Sequence, residues 1–197
     1  NLIDAIRNKK GFLYTIETNP EYGKYHIDGH RACNISMKPE DSLKNNNICP
    51  NCKKPLTIGV LQRVEKLADR EEGYKPKDAI PFKSLIPLSE ILSVLLGSGV
   101  ASKKVFSEYY KLIKNFETEF NILLNTTKED LIKVTDEKIA DAIITVREGK
   151  VKIKPGYDGV YGQPTFENTL MKSDTIFVGN EKQEIKENKQ KGLSSFF

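Results

Sequence analysis

Two pairs of metal-ligand side chains constrain the fold of this chain more than any other feature. His30 and Cys33 form the first pair, Cys49 and Cys52 form the second, and two residues separate the members of each pair. Fifteen residues lie between the pairs. A tight turn directs both side chains of such a pair towards one centre, and tetrahedral Zn²⁺ requires four nitrogen or sulfur donors. We therefore predict one structural zinc ion held by His30, Cys33, Cys49 and Cys52.

Four protein donors leave no coordination position for water, so this site is predicted to be structural rather than catalytic. His26 is a competing donor, but its spacing from His30 does not produce the required turn. The alternative interpretation is three free thiols and a surface histidine. The odd number of cysteines argues against a disulfide framework and favours metal binding.

Composition excludes some classes of protein and leaves others open. The 197 residues contain no apolar run long enough to span a membrane and no signal peptide at the start, so we expect a cytoplasmic protein. The net charge of +4, from 31 basic and 27 acidic residues, is too small to indicate nucleic-acid binding by itself. The chain lacks an initiator Met, which leaves open both a fragment and a stand-alone protein.

We predict an α+β fold, mainly α, with a small zinc-ribbon or knuckle module, a helix-hairpin-helix-like bundle and an extended Gly-rich segment. The predicted domains are a zinc-binding module (1–59), a helix and Pro-rich connection (60–86), a helical module with a Gly/Tyr loop (87–165) and a flexible tail (166–197).

The helical module contains a candidate DNA-binding hairpin. Gly97 is predicted to end one helix, and Thr127 and Thr135 are predicted to cap two later helices. The segment Gly97-Ser-Gly99 connects two predicted helices. Its glycines allow close approach of a phosphate, and Lys103 and Lys104 would neutralise the phosphate charge. A plain helical bundle with a glycine-bearing turn fits the motif equally well. A second hairpin, at 134–137, lacks glycine and carries two acids, which favours a structural role.

A Gly/Tyr loop follows the last predicted helix. Lys150, Lys152 and Lys154 alternate with apolar residues, as on a strand with one basic face. In the segment 155–162, Tyr157 and Tyr161 could stack on a base or sugar. The interpretation that the sequence favours is a tight hairpin whose tyrosines pack on the helices. The chain contains no GxxxxGK[ST] motif for ATP.

The charged C-terminal tail ends in a pattern typical of proteins that bind sliding DNA clamps. A short helical turn would place Leu193, Phe196 and Phe197 in an apolar pocket of the clamp and Gln190 in a polar one. The alternatives are a chance apolar end and a strand that docks on the body. We predict clamp binding by these four residues.

Several stretches together resemble endonuclease Q, a DNA-repair enzyme of archaea and bacteria. They span residues 10–162 and comprise Lys10-Gly-Phe12, Gly23-Lys-Tyr-His26, Asp28-Gly-His-Arg31, Cys49-Pro-x-Cys52, the segment 63–69 and the segment 147–162. The resemblance implies a protein that acts on deaminated bases or abasic sites in DNA. In that family an N-terminal PHP-type phosphoesterase domain cuts the strand, and this chain matches only the later modules.

Three functions follow as hypotheses. The first is a non-catalytic part of an endonuclease Q-like protein, with DNA, a sliding clamp and a PHP nuclease domain, on the same or a separate chain, as partners. The second is a stand-alone zinc-containing adaptor that binds the clamp without contacting DNA. The third, an enzyme in its own right, is disfavoured because no spaced carboxylate cluster or nucleophile–base pair is evident. Two histidines cannot supply the metal cluster of a PHP domain.

Overall fold

Apolar residues at helical spacing after residue 87 form the main core of the protein. In the computed structural model, which describes residues 2–166, the fold is α+β, and five packed helices supply most of this core, to which Leu85, Ile86 and Phe166 also belong. Leu92, Leu112 and Ile143 are among its fully buried side chains. The five helices are α4 (Leu88–Leu96), α5 (Lys103–Phe116), α6 (Glu119–Leu124), α7 (Lys128–Ile132) and α8 (Glu137–Arg147).

Local capping chemistry sets the ends of these helices. Gly97 ends α4, as predicted, with a φ of 57° that suits glycine, and Thr127 begins α7 by accepting a hydrogen bond from the Asp130 N–H. The predicted cap at Thr135 is wrong, because Asp136 caps α8 by accepting from the Lys138 N–H. The Thr135 hydroxyl instead donates to Glu108 of α5 at 2.5 Å.

Two charged side chains join helices by bonding to backbone groups at their ends. The Glu119 carboxylate accepts from the Leu88 N–H at 2.7 Å and from the Tyr109 hydroxyl at 2.9 Å. The Arg147 guanidinium donates to the carbonyls of Ile122 and Leu123 at 2.8 and 2.9 Å. Both side chains satisfy backbone groups that a helix end leaves without an intrahelical partner, so they fix α4, α6 and α8 relative to one another.

Short elements precede and follow the bundle. They are α1 (Leu2–Asn8), β1 (Thr15–Glu17), β2 (Asp28–His30), β3 (Ile35–Met37), α2 (Pro39–Lys44), α3 (Val60–Leu67), β4 (Phe82–Ser84), β5 (Lys152–Lys154) and β6 (Gln163–Thr165). β1 pairs with β4 in parallel, and the pairs β2–β3 and β5–β6 are antiparallel. No helix within residues 2–166 is long and apolar enough to cross a membrane.

The Gly–Tyr loop, residues 155–162, docks on the segment that contains the cysteines, residues 20–59, which we call the Cys/His module. The Gly156 carbonyl accepts from the N–H groups of His26 and Ile27, each at 3.1 Å. Tyr157 is 6% exposed and its hydroxyl donates to Asn34 at 2.8 Å. A side chain at Gly29 would collide with the Tyr157 ring. The sequence favoured packing of the tyrosines on the helices. Tyr157 instead packs on the Cys/His module.

Asp158 is the polar anchor of this docked loop. Its carboxylate accepts from the Arg31 N–H and from the Thr57 hydroxyl, each at 2.6 Å. Burial alone would raise the pKa of Asp158, but the hydrogen bonds from Thr57 and Arg31 outweigh burial and lower it. Because this pKa is lowered, the ionised Asp158 carboxylate stabilises the folded state at pH values above its unfolded-state pKa. This stabilisation is lost as the pH falls through the folded-state pKa.

Asp158→Asn should lower the free energy of unfolding at pH 7 by about 1–3 kcal/mol, because the Arg31 N–H and the Thr57 hydroxyl lose a charged acceptor. Denaturant titration at several pH values checks this. The difference from the wild type should shrink below about pH 4, as the wild-type carboxylate becomes protonated. Asp69→Asn, at an exposed carboxylate, is the matched control and should change stability by less than about 0.5 kcal/mol.

Candidate metal centre

Two similar turns build the metal centre. His30 ends β2, and residues 31–33 form one 3₁₀ turn that brings Cys33 back towards it. In the second turn the Lys53 N–H donates to the Cys49 carbonyl at 3.0 Å. Each turn is closed by a residue with positive φ directly after its cysteine, Asn34 at 52° and Lys53 at 60°. The two pairs seen in the sequence thus lie in two short turns whose ligand atoms converge.

The four donor atoms converge as the sequence predicted. The ligand atoms of His30, Cys33, Cys49 and Cys52 all lie within 4.8 Å of one another, and Cys52 Sγ is 3.5 Å from His30 Nδ1. Cys49 is buried, Cys52 is exposed, and the other two ligands are half-buried. This metal-ligand cluster can hold a metal ion. Three thiolates and one imidazole form a four-donor set that matches the chemistry of a structural zinc site.

The protein environment shifts the pKa values of two of the thiols in opposite directions. Backbone N–H groups of Cys52 and Asn51 donate to the Cys49 sulfur and, against the effect of burial, lower the pKa of Cys49 to about 7. A hydrogen bond with the Cys52 sulfur, together with burial, raises the pKa of Cys33 to about 11. A metal ion must displace the proton from any thiol that is protonated at neutral pH, so protons and metal compete for the cluster.

A buried polar network that was not predicted from the sequence supports β2, the strand that carries His30. The fully buried Asp28 carboxylate accepts from the Gly59 N–H at 2.6 Å, from Gln62 Nε2 at 2.8 Å and from the Ser42 hydroxyl. Gln62 Nε2 also lies 3.1 Å from Asn47 Oδ1. These bonds tie α2 and α3 to the strand that ends in His30. Asp28 begins the motif Asp28-Gly-His-Arg31, which resembles endonuclease Q. That motif was the signal in the sequence that could have indicated the anchoring role of Asp28.

The hairpin for which the sequence predicts DNA contact forms the connection between α4 and α5. Gly97 and Gly99 are exposed, and no atom lies within 4 Å of the position that a side chain would occupy at either glycine. Ser102 caps α5 by accepting from the Val105 N–H. Lys103 is exposed in the first turn of α5, and Lys104 Nζ donates to the Leu96 carbonyl at 3.0 Å. The backbone at this hairpin is therefore open to a ligand.

Ion pairs surround the second hairpin, residues 134–137, between α7 and α8. Lys128 Nζ lies 2.5 Å from Asp141 and 3.3 Å from Glu137, and Lys133 Nζ lies 2.7 Å from Asp130. These contacts connect the start of α7 to α8 and fasten the end of α7. The geometry is in keeping with the structural role that the sequence favoured for residues 134–137.

The other predicted DNA-contacting residues lie in different environments. Lys152 and Lys154 are on the exposed face of β5, and Lys150 pairs with Glu148 at 2.7 Å. Tyr161 is 61% exposed. Tyr157 is buried, so its ring offers no free face on which a base could stack. The clamp-binding residues Gln190, Leu193, Phe196 and Phe197 lie outside the described residues.

Sequence comparison relates the chain to larger proteins. Residues 87–150 match the family described as the MJ0043 C-terminal domain. The protein MJ0043 of Methanocaldococcus jannaschii is 38% identical over 162 residues, which are 82% of this chain and 20% of that protein. YqxK of Bacillus subtilis is 32% identical over 146 residues, which are 74% of this chain and 33% of that protein.

Two crystal structures resemble the fold. The lesion-specific endonuclease PfuEndoQ from Pyrococcus furiosus superposes with a TM-score of 0.70 at 31% identity, over 82% of this chain and 40% of that chain. Endonuclease Q in complex with a 27-mer duplex substrate carrying an abasic lesion gives 0.73 at 30% identity, over 88% and 44%. The resemblance to endonuclease Q is confirmed. This endonuclease Q-like chain spans less than half the length of each of these four proteins.

Cys49→Ser should remove metal binding and unfold the Cys/His module of this endonuclease Q-like chain, because structural zinc contributes directly to folding. Elemental analysis should find about one zinc per wild-type chain and much less in the variant. Hydrogen exchange should show lost protection in residues 20–59 and retained protection in α4, α5 and α8. Asn51→Ala, in the same turn but without a metal ligand, is the control. Retained zinc in Cys49→Ser would contradict the four-ligand assignment.

Proposed function

We propose that this chain is the DNA-engaging part of an endonuclease Q-like repair protein that acts on deaminated bases or abasic sites. The observation that carries the proposal is the similarity to endonuclease Q, in sequence and fold, over 82–88% of this chain. One of those structures contains a duplex with an abasic lesion. Zinc, in this proposal, has a structural role in the Cys/His module.

The α4–α5 hairpin is the part we assign to the DNA backbone. A phosphate can approach the exposed Gly97 and Gly99 closely, and the first turn of α5 presents backbone N–H groups and the positive end of the helix dipole. Lys103 and Lys104 add two positive charges at the same point. Lys150, Lys152 and Lys154 form a second, weaker candidate surface.

Strand cleavage is assigned to a different domain. A PHP-type nuclease centre requires several histidine and acidic ligands with open coordination positions, whereas the cluster found within residues 2–166 is cysteine-rich and complete. We therefore propose that a nuclease domain, on the same polypeptide or on a partner, performs the cleavage. This chain would position it on DNA.

Replacing Lys103 and Lys104 together by Ala should weaken DNA binding for all sequences alike. Each lost phosphate contact removes about one released counterion, so the slope of log K against log salt should fall by roughly 2. Fluorescence anisotropy with duplex DNA at several salt concentrations measures this slope.

The charge-matched control replaces Lys75 and Lys77, which are exposed in the Pro-rich connection, together by Ala. It should leave the slope unchanged. An equal slope for wild type and the Lys103/Lys104 variant would exclude the hairpin as a DNA contact. Absence of any binding at low salt would overturn the proposal that this chain engages DNA by itself.

We also propose that Gln190, Leu193, Phe196 and Phe197 tether the protein to a sliding clamp. Deleting residues 190–197 should abolish binding to purified clamp in a calorimetric titration and leave binding to DNA unchanged. The alternative function, a clamp adaptor without DNA contact, predicts instead that the full chain binds clamp and shows no affinity for DNA. Unchanged clamp binding after the deletion would remove these residues from the proposal.

A further inference from the structure

Contacts from the Gly–Tyr loop converge on the turn that carries two of the four metal ligands. We call this segment, residues 29–34, the first turn. The Tyr157 hydroxyl donates to the Asn34 side chain at 2.8 Å, and the Asp158 carboxylate accepts from the Arg31 N–H at 2.6 Å. These two bonds join residues that are 123 and 127 positions apart in the sequence.

Both bonds restrain the part of the chain that sets the positions of the ligands. Arg31 directly follows His30, and Asn34 directly follows Cys33 with a φ of 52°. That left-handed conformation closes the turn, and the Asn34 N–H donates to the Arg31 carbonyl at 2.9 Å. The loop therefore acts on the two residues that follow the ligands of the first turn.

The Tyr157 ring supports the first turn by packing. The ring is buried, and a side chain at Gly29 would collide with it. Gly29 directly precedes His30, and its N–H donates to the Thr57 carbonyl at 3.0 Å. The Thr57 hydroxyl in turn donates to Asp158 at 2.6 Å. The loop thus also holds the backbone on the N-terminal side of His30.

The other half of the cluster is closed by near neighbours in the sequence. In this second turn the Cys49 N–H donates to the Lys54 carbonyl at 2.8 Å, and the Leu56 N–H donates to the Asn47 carbonyl at 2.8 Å. We expect these local bonds to preserve the second turn without the loop. The first turn combines the short β2–β3 pair with the distant contacts of the loop.

We propose that Tyr157 and Asp158 are positioning residues for the metal ion, because the docked Gly–Tyr loop holds the first turn in its metal-binding conformation. Metal binding and docking of the loop stabilise the same backbone, so each favours the other, and such linkage is reciprocal. This inference rests on the part of the proposed function that assigns a structural metal to the cluster. It does not depend on DNA binding.

The test measures the zinc affinity of the full 197-residue chain by competition with a chromogenic chelator at one pH. Tyr157→Ala removes the ring and the hydroxyl without a change of charge. It should weaken zinc binding by roughly 10- to 100-fold, the effect of losing a group that orients metal ligands. Tyr157→Phe retains the ring and should weaken zinc binding by roughly 2- to 12-fold, the equivalent of one hydrogen bond. Asp158→Ala removes the acceptor of the Arg31 N–H and should also weaken it.

Two further measurements separate positioning from a general loss of stability. Thr135→Val removes the hydrogen bond from Thr135 to Glu108 within the bundle, and it should leave zinc affinity unchanged. Cobalt in place of zinc reports the geometry of the ligands through its absorption bands. These bands should shift in metal-saturated Tyr157→Ala, because the first turn has lost a restraint. A merely structural role would leave the bands of the saturated protein unchanged.

The reverse effect is measured by hydrogen exchange on the wild type. The Gly159 N–H donates to the Lys24 carbonyl at 2.9 Å, and the Gly162 N–H donates to the Tyr22 carbonyl at 3.0 Å, so both amides report docking of the loop. Removal of zinc by a chelator should increase exchange at these amides and leave α5 and α8 protected.

The outcomes distinguish this inference from the metal assignment itself. Unchanged zinc affinity in Tyr157→Phe and Asp158→Ala would overturn the positioning role and leave the four-ligand assignment intact. Unchanged cobalt bands in saturated Tyr157→Ala would also overturn it, as would loop amides that stay protected after zinc is removed. Failure of the wild type to bind zinc would instead overturn the assignment of a metal to the cluster, and with it this inference.

Discussion

The convergence of His30, Cys33, Cys49 and Cys52 is the constraint on which the Cys/His module depends. In residues 20–59 the buried hydrophobic side chains are Ile27, Cys49 and Leu56, far fewer than in the helical bundle. So small an apolar core cannot offset the entropy of ordering about forty residues. The Asp28 network supplies part of what burial does not, and a metal ion held by the cluster would add a cross-link.

The Gly–Tyr loop extends that constraint to the rest of the chain. It follows the bundle in sequence, yet its buried Tyr157 and its Asp158 are bound to the Cys/His module. Tyr22 connects the same module to α4 through Glu90, and burial together with this contact holds the pKa of Tyr22 above its usual range. The position of the module relative to the bundle is thus set by specific polar contacts rather than by one continuous apolar core.

Features that depend on local sequence could be predicted, and features that depend on distant partners could not. The spacing of the cysteine pairs, the helix stop at Gly97 and the cap at Thr127 each follow from residues a few positions apart. The cap of α8 was misassigned because the side chains of Thr135 and Asp136 can both cap a helix, whereas the Thr135 hydroxyl is bonded to Glu108 of another helix. The burial of Tyr157 depends on Gly29, more than a hundred residues earlier.

The same dependence links the metal-ligand cluster to the Gly–Tyr loop. Arg31 lies between two ligands, His30 and Cys33, and its N–H holds Asp158, the residue that anchors the loop carrying Tyr161. Loss of a metal ion from the cluster would free the turn at 30–33 and with it the Arg31 contact that anchors the Gly–Tyr loop. The α4–α5 hairpin is held by the bundle's own core and does not depend on that turn. A closed metal site without chemistry of its own can therefore position distant side chains, because it fixes the backbone from which they project.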